Sequence, residues 1–236
     1  MEDFTTTFGN SAATAAPADR ASFIRRTYLL LAIAILGFVA VEAFLFLSGA
    51  AVGILTVISG AGQLGWLLVL GGFMGVSYLA NRWAMSDTSA ATQYLGLLIY
   101  IIAEAVIFVP LIAVAIYYTG DSTVLVKSGI VTLGLFLGLT LTVFITRSDF
   151  SFLGPILSIG GFVALGFIVS SAIFGFSLGS LFAFVMVAFA GSAILYQTSN
   201  ILHQYNTRQH VAASLALFAS VALLFWYVLN IFSSRR

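Results

Sequence analysis

Seven stretches of about 20 or more mainly apolar residues, at 27–48, 63–82, 92–118, 124–146, 152–174, 178–203 and 211–232, dominate this chain. About 20 apolar residues in a helix match the hydrocarbon thickness of a bilayer. A helix also satisfies its own backbone polar groups there, where water cannot. Seven membrane-spanning helices are therefore predicted, the lipid bilayer being their partner. Of the 236 residues, 61% are hydrophobic and 7% charged. Soluble domains carry about 25% charge, and no soluble fold of this length could hide so much apolar surface. Outside the spans little remains: a polar tail at 1–26, expected to be disordered or interfacial, and a short terminus at 233–236. The stretch 50–62 is apolar but broken by glycine, and reads as a surface loop or as an early start of the second span.

Several function classes are excluded. A net charge of +1 offers no basic field for nucleic acid. The absence of cysteine removes disulfides, thiolate metal sites and thiol catalysis. His203 and His210 flank a loop without a metal-ligand set, and no phosphate loop, nucleophile elbow or HExxH occurs. No catalytic residue, cofactor or metal site is expected, and an enzyme is disfavoured.

Lys and Arg concentrate on the cytoplasmic side of membrane proteins. With the N-terminus inside, Arg20, Arg25, Arg26, Arg82, Arg147 and Arg208 face in, against Lys127, Arg235 and Arg236 outside. Seven spans place the C-terminus outside; a re-entrant segment would make the number of spans even. The first span is too long for a cleaved signal peptide and contains Glu42. Breaks fall at Thr119-Gly120-Asp121-Ser122, Arg147-Ser148-Asp149, Gly175-Phe176-Ser177 and 203–210. Gly71 and Gly75, Gly134 and Gly138, and Gly161 and Gly166 are expected at helix contacts, as is the stripe Ala212, Ala216, Ala219 and Ser220. Pro155 suits a first helical turn, and Pro110 should kink the third span.

Two acids lie within spans. A charge at mid-membrane costs at least about 2.5–3.5 kcal/mol. Glu42 and Glu104 are therefore expected to be held neutral or to face a water-filled cavity, as candidate parts of an ion pathway. Gln197, Asn200 and Gln204 share one helical face at the end of the sixth span. Ser220 lies at similar depth on the seventh.

The segment Gly191–His203, GSAILYQTSNILH, resembles the sixth-helix signature of the Bax inhibitor-1 family, and within it the bacterial YccA branch, whose motif reads roughly GAILFETSNIIH. The loop Thr146–Gly154, TRSDFSFLG, is similar to that branch's TRKDMSFLG. The resemblance covers essentially the whole chain. It implies six helices in two layers around a central seventh, in a bacterial inner membrane. It also implies one of two functions: restraint of the membrane protease FtsH, gripped through the N-terminal tail, or a pH-influenced leak of calcium, other cations or protons. Many family members carry an Asp in the sixth helix and another in the seventh, a pair that closes the pore by sharing a proton. The matching positions here are Gln197 and Ser220, neither of which titrates near neutral pH. The resemblance thus implies an altered gate, either locked toward the closed state or governed by Glu104, with Gln197 free to bond Ser220 or backbone.

Overall fold

The computed structural model describes residues 11–85, 89–117, 120–121 and 123–234. Among them are eight helices: α1 (Pro17–Leu47), α2 (Ala50–Gly60), α3 (Gln63–Ala84), α4 (Ala90–Tyr117), α5 (Thr123–Thr146), α6 (Leu153–Phe174), α7 (Gly179–His203) and α8 (His210–Ser233). The chain is an all-α, multi-pass membrane protein. Six helices (α1 and α4–α8) are each long and apolar enough to cross a bilayer, and α2 with α3 makes a seventh if that bent pair is one span. The two axes differ by 115°.

Two sequence expectations shift. Helix α1 starts at Pro17, ten residues before the predicted span, with proline suited to a first turn. The part of the tail described is also ordered: the Ala12 N–H donates to the Tyr205 carbonyl at 2.8 Å, and Ser11 bridges Asn206. Residues 1–10, and Arg235 and Arg236 at the other end, lie outside the described residues. The stretch 50–62 is neither loop nor extension of α3 but a helix of its own, set off from α1 by Gly49 at φ 80°. That left-handed conformation carries no penalty in glycine.

Helix α8 is the centre of the bundle. It touches α1, α3, α4, α5 and α7, and Val211, Ala212, Ala213, Ser214 and Leu215 are buried in succession, so every face of its first turn is covered. A helix apolar all round belongs inside. The predicted small-residue stripe is part of this core, with Ala212 and Ser220 buried and Ala216 and Ala219 half-buried. Helix α6 is the opposite case: of its residues, Ala164 alone is buried. Pro155 sits at its third position, as predicted, and α4 runs through Pro110. The break after α6 falls at Gly175, whose left-handed backbone closes the helix with an N–H to the Ser171 carbonyl. Of the predicted turn at 119–122, Gly120 and Asp121 are described, while Thr119 and Ser122 lie outside the described residues.

The glycine pairs are corrected. A Cβ at Gly71, Gly75, Gly134, Gly138 or Gly166 would meet nothing within 4 Å, and one at Gly161 would only graze Phe189 at 3.9 Å. The close approaches occur elsewhere. A Cβ at Gly96 would sit 2.9 Å from the Ala80 carbonyl, where α3 and α4 meet, and one at Gly154 would sit 3.1 Å from Tyr196.

Candidate functional site

The inward face of α5 is built from residues four apart: Val124, Ser128, Thr132, Phe136 and Thr140. Four residues advance a helix about 6 Å with little rotation, so three hydroxyls and a phenyl ring stand in file. The buried stripe of α1 runs Phe23, Thr27, Leu31, Ala34, Phe38, Glu42 and packs on α4 and α8, Phe38 meeting Phe108 and Phe218. Helices α1 and α5 are antiparallel. Thr132, in the N-terminal half of α5, lines the same cavity as Glu42 near the end of α1. Thr140 and Phe144, at the other end of α5, lie by Tyr28 near the start of α1; the Tyr28 and Phe144 rings are 5.8 Å apart. Thr198 of α7 completes the group around Tyr28.

These buried polar atoms have unused bonding capacity. The Oγ atoms of Thr27, Ser128 and Thr132, both Glu42 oxygens, Gln197 Oε1 and Asn200 Oδ1 are buried without a hydrogen-bond partner among the described residues, while the Tyr28 hydroxyl has those of Thr140 and Thr198 beside it. Hydroxyls on outer faces behave differently. Thr142, Thr146, Ser158 and Ser192 each donate to the carbonyl one turn back, at 2.8–3.1 Å, the usual way for a helix to satisfy Ser or Thr internally. Leaving a buried polar group unsatisfied costs about 1–3 kcal/mol. Buried groups of this kind are where ordered water is expected.

The sequence-predicted residues fall in three places. Glu42, 6% exposed, lines the cavity near the C-terminal end of α1. Gln197 and Asn200 lie in the last two turns of α7, and Asn200 lines a second, smaller cavity with Met85, Gln204, Tyr205 and Gln209. Glu104, also 6% exposed, is elsewhere. Its partner is the Tyr100 hydroxyl one turn earlier on α4, and the Tyr100 ring packs on Phe73 of α3 and Phe218 of α8. Ser220 is committed to its own helix, donating to the Ala216 carbonyl at 2.9 Å. The bond suggested between Gln197 and Ser220 is not made, and Gln197 Oε1 is left open. Sequence reasoning missed the inward hydroxyls of α5, Ser128, Thr132 and Thr140.

The loop between α5 and α6 is clasped to α7 at the inner end. The Phe150 N–H donates to Ser199 Oγ at 2.9 Å, and Ser199 Oγ donates to Asp149 Oδ1 at 3.3 Å. The Ser151 N–H, ahead of its hydroxyl and that of Ser199, holds the Asp149 carboxyl below the usual carboxylate range. A lowered carboxyl stabilises the fold above its ordinary pKa and loses that contribution only as pH falls through the lowered value, so the clasp is intact at neutral pH. Ser199, His203 and Asp149 include the residue types of an acyl-transfer triad but not its order. The hydroxyl, and not the imidazole, sits between the other two, 3.3 Å from Asp149 Oδ1 and 3.5 Å from His203 Nδ1, and His203 Nδ1 is also 3.0 Å from the Ser199 carbonyl. Ser199→Ala should therefore act on stability, costing about 1–2 kcal/mol by orphaning the Phe150 N–H. Thermal unfolding in detergent checks this, and an unchanged midpoint would show the loop is held otherwise. Among the described residues no group of three or more His, Asp or Glu could hold a metal ion.

Comparison with known proteins agrees with this architecture. The family model described as "Inhibitor of apoptosis-promoting Bax1" matches residues 20–236. The chain is 31% identical over 173 residues to an uncharacterized protein of Pseudomonas aeruginosa, a match covering 70% of this chain and 72% of that one. It is 28% identical over 173 residues to Bax inhibitor 1 of Schizosaccharomyces pombe, over 70% of this chain and 61% of the yeast protein. An uncharacterized protein of Pasteurella multocida is 31% identical over 209 residues, 84% of this chain and 83% of its own length. The protein belongs to the Bax inhibitor-1 family of multi-pass membrane proteins.

Proposed function

We propose that this protein is a slow cation leak, passing calcium or protons along the seam between α1, α5 and α7, with Gln197 as a permanently neutral constriction. The observation that supports this reading is the set of buried side-chain oxygens without partners among the described residues on α1, α5 and α7: Glu42, Ser128, Thr132, Gln197 and Asn200. Gln197 occupies the position of a titratable family acid, so the leak should be small and only weakly dependent on pH. Control by Glu104 has weaker support, because its neighbours belong to α3, α4 and α8. A bacterial inner membrane is the setting implied by the YccA-like motifs, and the arginines support a cytoplasmic N-terminus. Helix ends carrying Arg25, Arg26, Arg82, Arg147 and Arg208 lie on one side, which the positive-inside rule assigns to the cytoplasm.

Calcium flux into proteoliposomes from pH 6 to 8 tests the reading. The double variant Thr140→Val with Thr198→Val should reduce flux several-fold, since valine keeps the shape and removes the hydroxyl. Gln197→Glu should add a pH dependence that the parent lacks, and Glu104→Gln should leave flux unchanged. No flux above empty liposomes, or a loss confined to Glu104→Gln, would overturn the proposal.

The second reading, restraint of FtsH, is favoured by the two YccA-like motifs. It requires a tail the protease can reach, and from Ser11 onward the chain is tied back to Tyr205 and Asn206. Deleting residues 2–10 and measuring co-purification with FtsH separates this reading from the leak.

A further inference from the structure

The inner ends of α1 and α5 bring positive charge together at the edge of the span. The rings of Tyr28 on α1 and Phe144 on α5 are 5.8 Å apart. Arg25 stands three residues before Tyr28, and Arg147 three residues after Phe144. Three residues advance a helix by about 4.5 Å and leave the two positions neighbours on its surface. Because α1 and α5 are antiparallel, both steps lead toward the same side of the bilayer. The two arginines therefore stand on adjacent helix ends at similar height, and both are exposed. Among the described residues the ion pair formed is that of Lys127 with Asp121, at the opposite end of α5, and neither arginine shares in it. The acid beside Arg147 is Asp149, whose Oδ1 is engaged by the Ser151 N–H at 2.8 Å and the Ser199 hydroxyl at 3.3 Å.

Deeper in the membrane the surface turns apolar. Leu29, Ile33 and Leu36 follow Arg25 on one exposed face of α1. Leu137, Leu141 and Ile145, four apart, form an exposed stripe of α5 that ends two residues before Arg147. Arg147 is also the one residue other than glycine with a left-handed backbone among the described residues, at φ 52°. Glycine is the usual residue at such a helix end, and arginine bears a backbone cost there that glycine would not.

The pairing of charge with hydrocarbon selects the occupant. Guanidinium groups present paired donors that suit phosphate oxygens, and basic sites between membrane helices bind acidic headgroups. A soluble acidic peptide would answer the charge and leave both stripes uncovered. A zwitterionic lipid would set its own cation beside two others. We propose that Arg25 and Arg147 hold the phosphate of an anionic phospholipid in the leaflet on the arginine side, its acyl chains lying on the exposed stripes of α1 and α5. The inference goes beyond the leak and stands whether or not ions pass through the protein.

The test uses the full chain in phosphatidylcholine nanodiscs containing a small share of phosphatidylglycerol with a diazirine in its acyl chain, the labelled residues being mapped by mass spectrometry. Labelling should concentrate on residues 29–36 and 137–145, and unlabelled phosphatidylglycerol should compete it away. A phosphatidylcholine carrying the same diazirine should label those residues no more than outward-facing α6. Arg25→Gln should lower the labelling about five-fold, and Arg147→Gly, which suits the backbone, by a similar factor. Arg82→Gln, on α3, should leave it unchanged. Even labelling over α1, α5 and α6, equal labelling by the two lipids, or the same loss from Arg82→Gln would overturn the proposal. So would displacement of the lipid by inorganic phosphate or by a soluble acidic peptide, which would make the patch a site for free anions or for protein.

Discussion

Phe108→Ala should cost about 3 kcal/mol of folding stability, the low end of the range for removing a buried phenyl ring. Phe108 is 1% exposed. Its ring stacks on Phe225 at 5.7 Å and 8°, meets Trp226 edge-on at 4.9 Å and Phe38 edge-on at 5.1 Å. One side chain of α4 thereby joins α1 and α8. Lipid is as apolar as the core, so transfer out of water contributes little to holding these helices together. What is lost is dispersion contact and aromatic geometry, the latter about 0.5–1.5 kcal/mol per pair. Reversible unfolding in mixed micelles with increasing SDS measures the effect. Phe108→Leu, which refills part of the space, should recover a portion of it. A cost under about 1 kcal/mol for the alanine variant would mean the cluster closes around the gap and is not a rigid contact.

Gly96→Leu should be of similar size, about 3 kcal/mol, and by the opposite mechanism. The added Cβ alone would stand 2.9 Å from the Ala80 carbonyl and 3.2 Å from the Trp83 Cβ. The first of these is backbone and cannot rotate away, so α3 and α4 must separate, and overpacking typically costs about 1–3 kcal/mol. Gly134→Leu is the matched control, since nothing stands within 4 Å of that position. It should change stability little. The same unfolding assay decides: equal losses at the two glycines would refute the contact between α3 and α4.

The contrast between those glycines shows what could be read from the sequence. Hydrophobic length alone located the spans, because bilayer thickness leaves a chain few choices. The inward direction of Glu42 and Glu104 followed from the cost of charge in lipid. Which small residues touch another helix did not follow, since a glycine facing lipid and one facing a backbone have the same local sequence. The contact that matters sets Gly96 against Ala80 and Ala84, near the facing ends of the second and third predicted spans. The hydroxyl file of α5 was hidden for a related reason. Ser and Thr in a membrane helix can bond their own backbone, as Thr142 and Thr146 do, and composition does not tell such residues from Thr132 and Thr140. The early start of α1 was obscured by the polarity of residues 17–26, which project beyond the apolar span.

The place of α8 bears on how the molecule is assembled. Chains are made from the N-terminus, and of the eight described helices the innermost, α8, is made after the other seven. Ser214, whose hydroxyl reaches the Thr27 carbonyl at 2.8 Å, ties α8 back to α1. A chain stopped before residue 210 should therefore lack the surface on which α1, α4, α5 and α7 all pack.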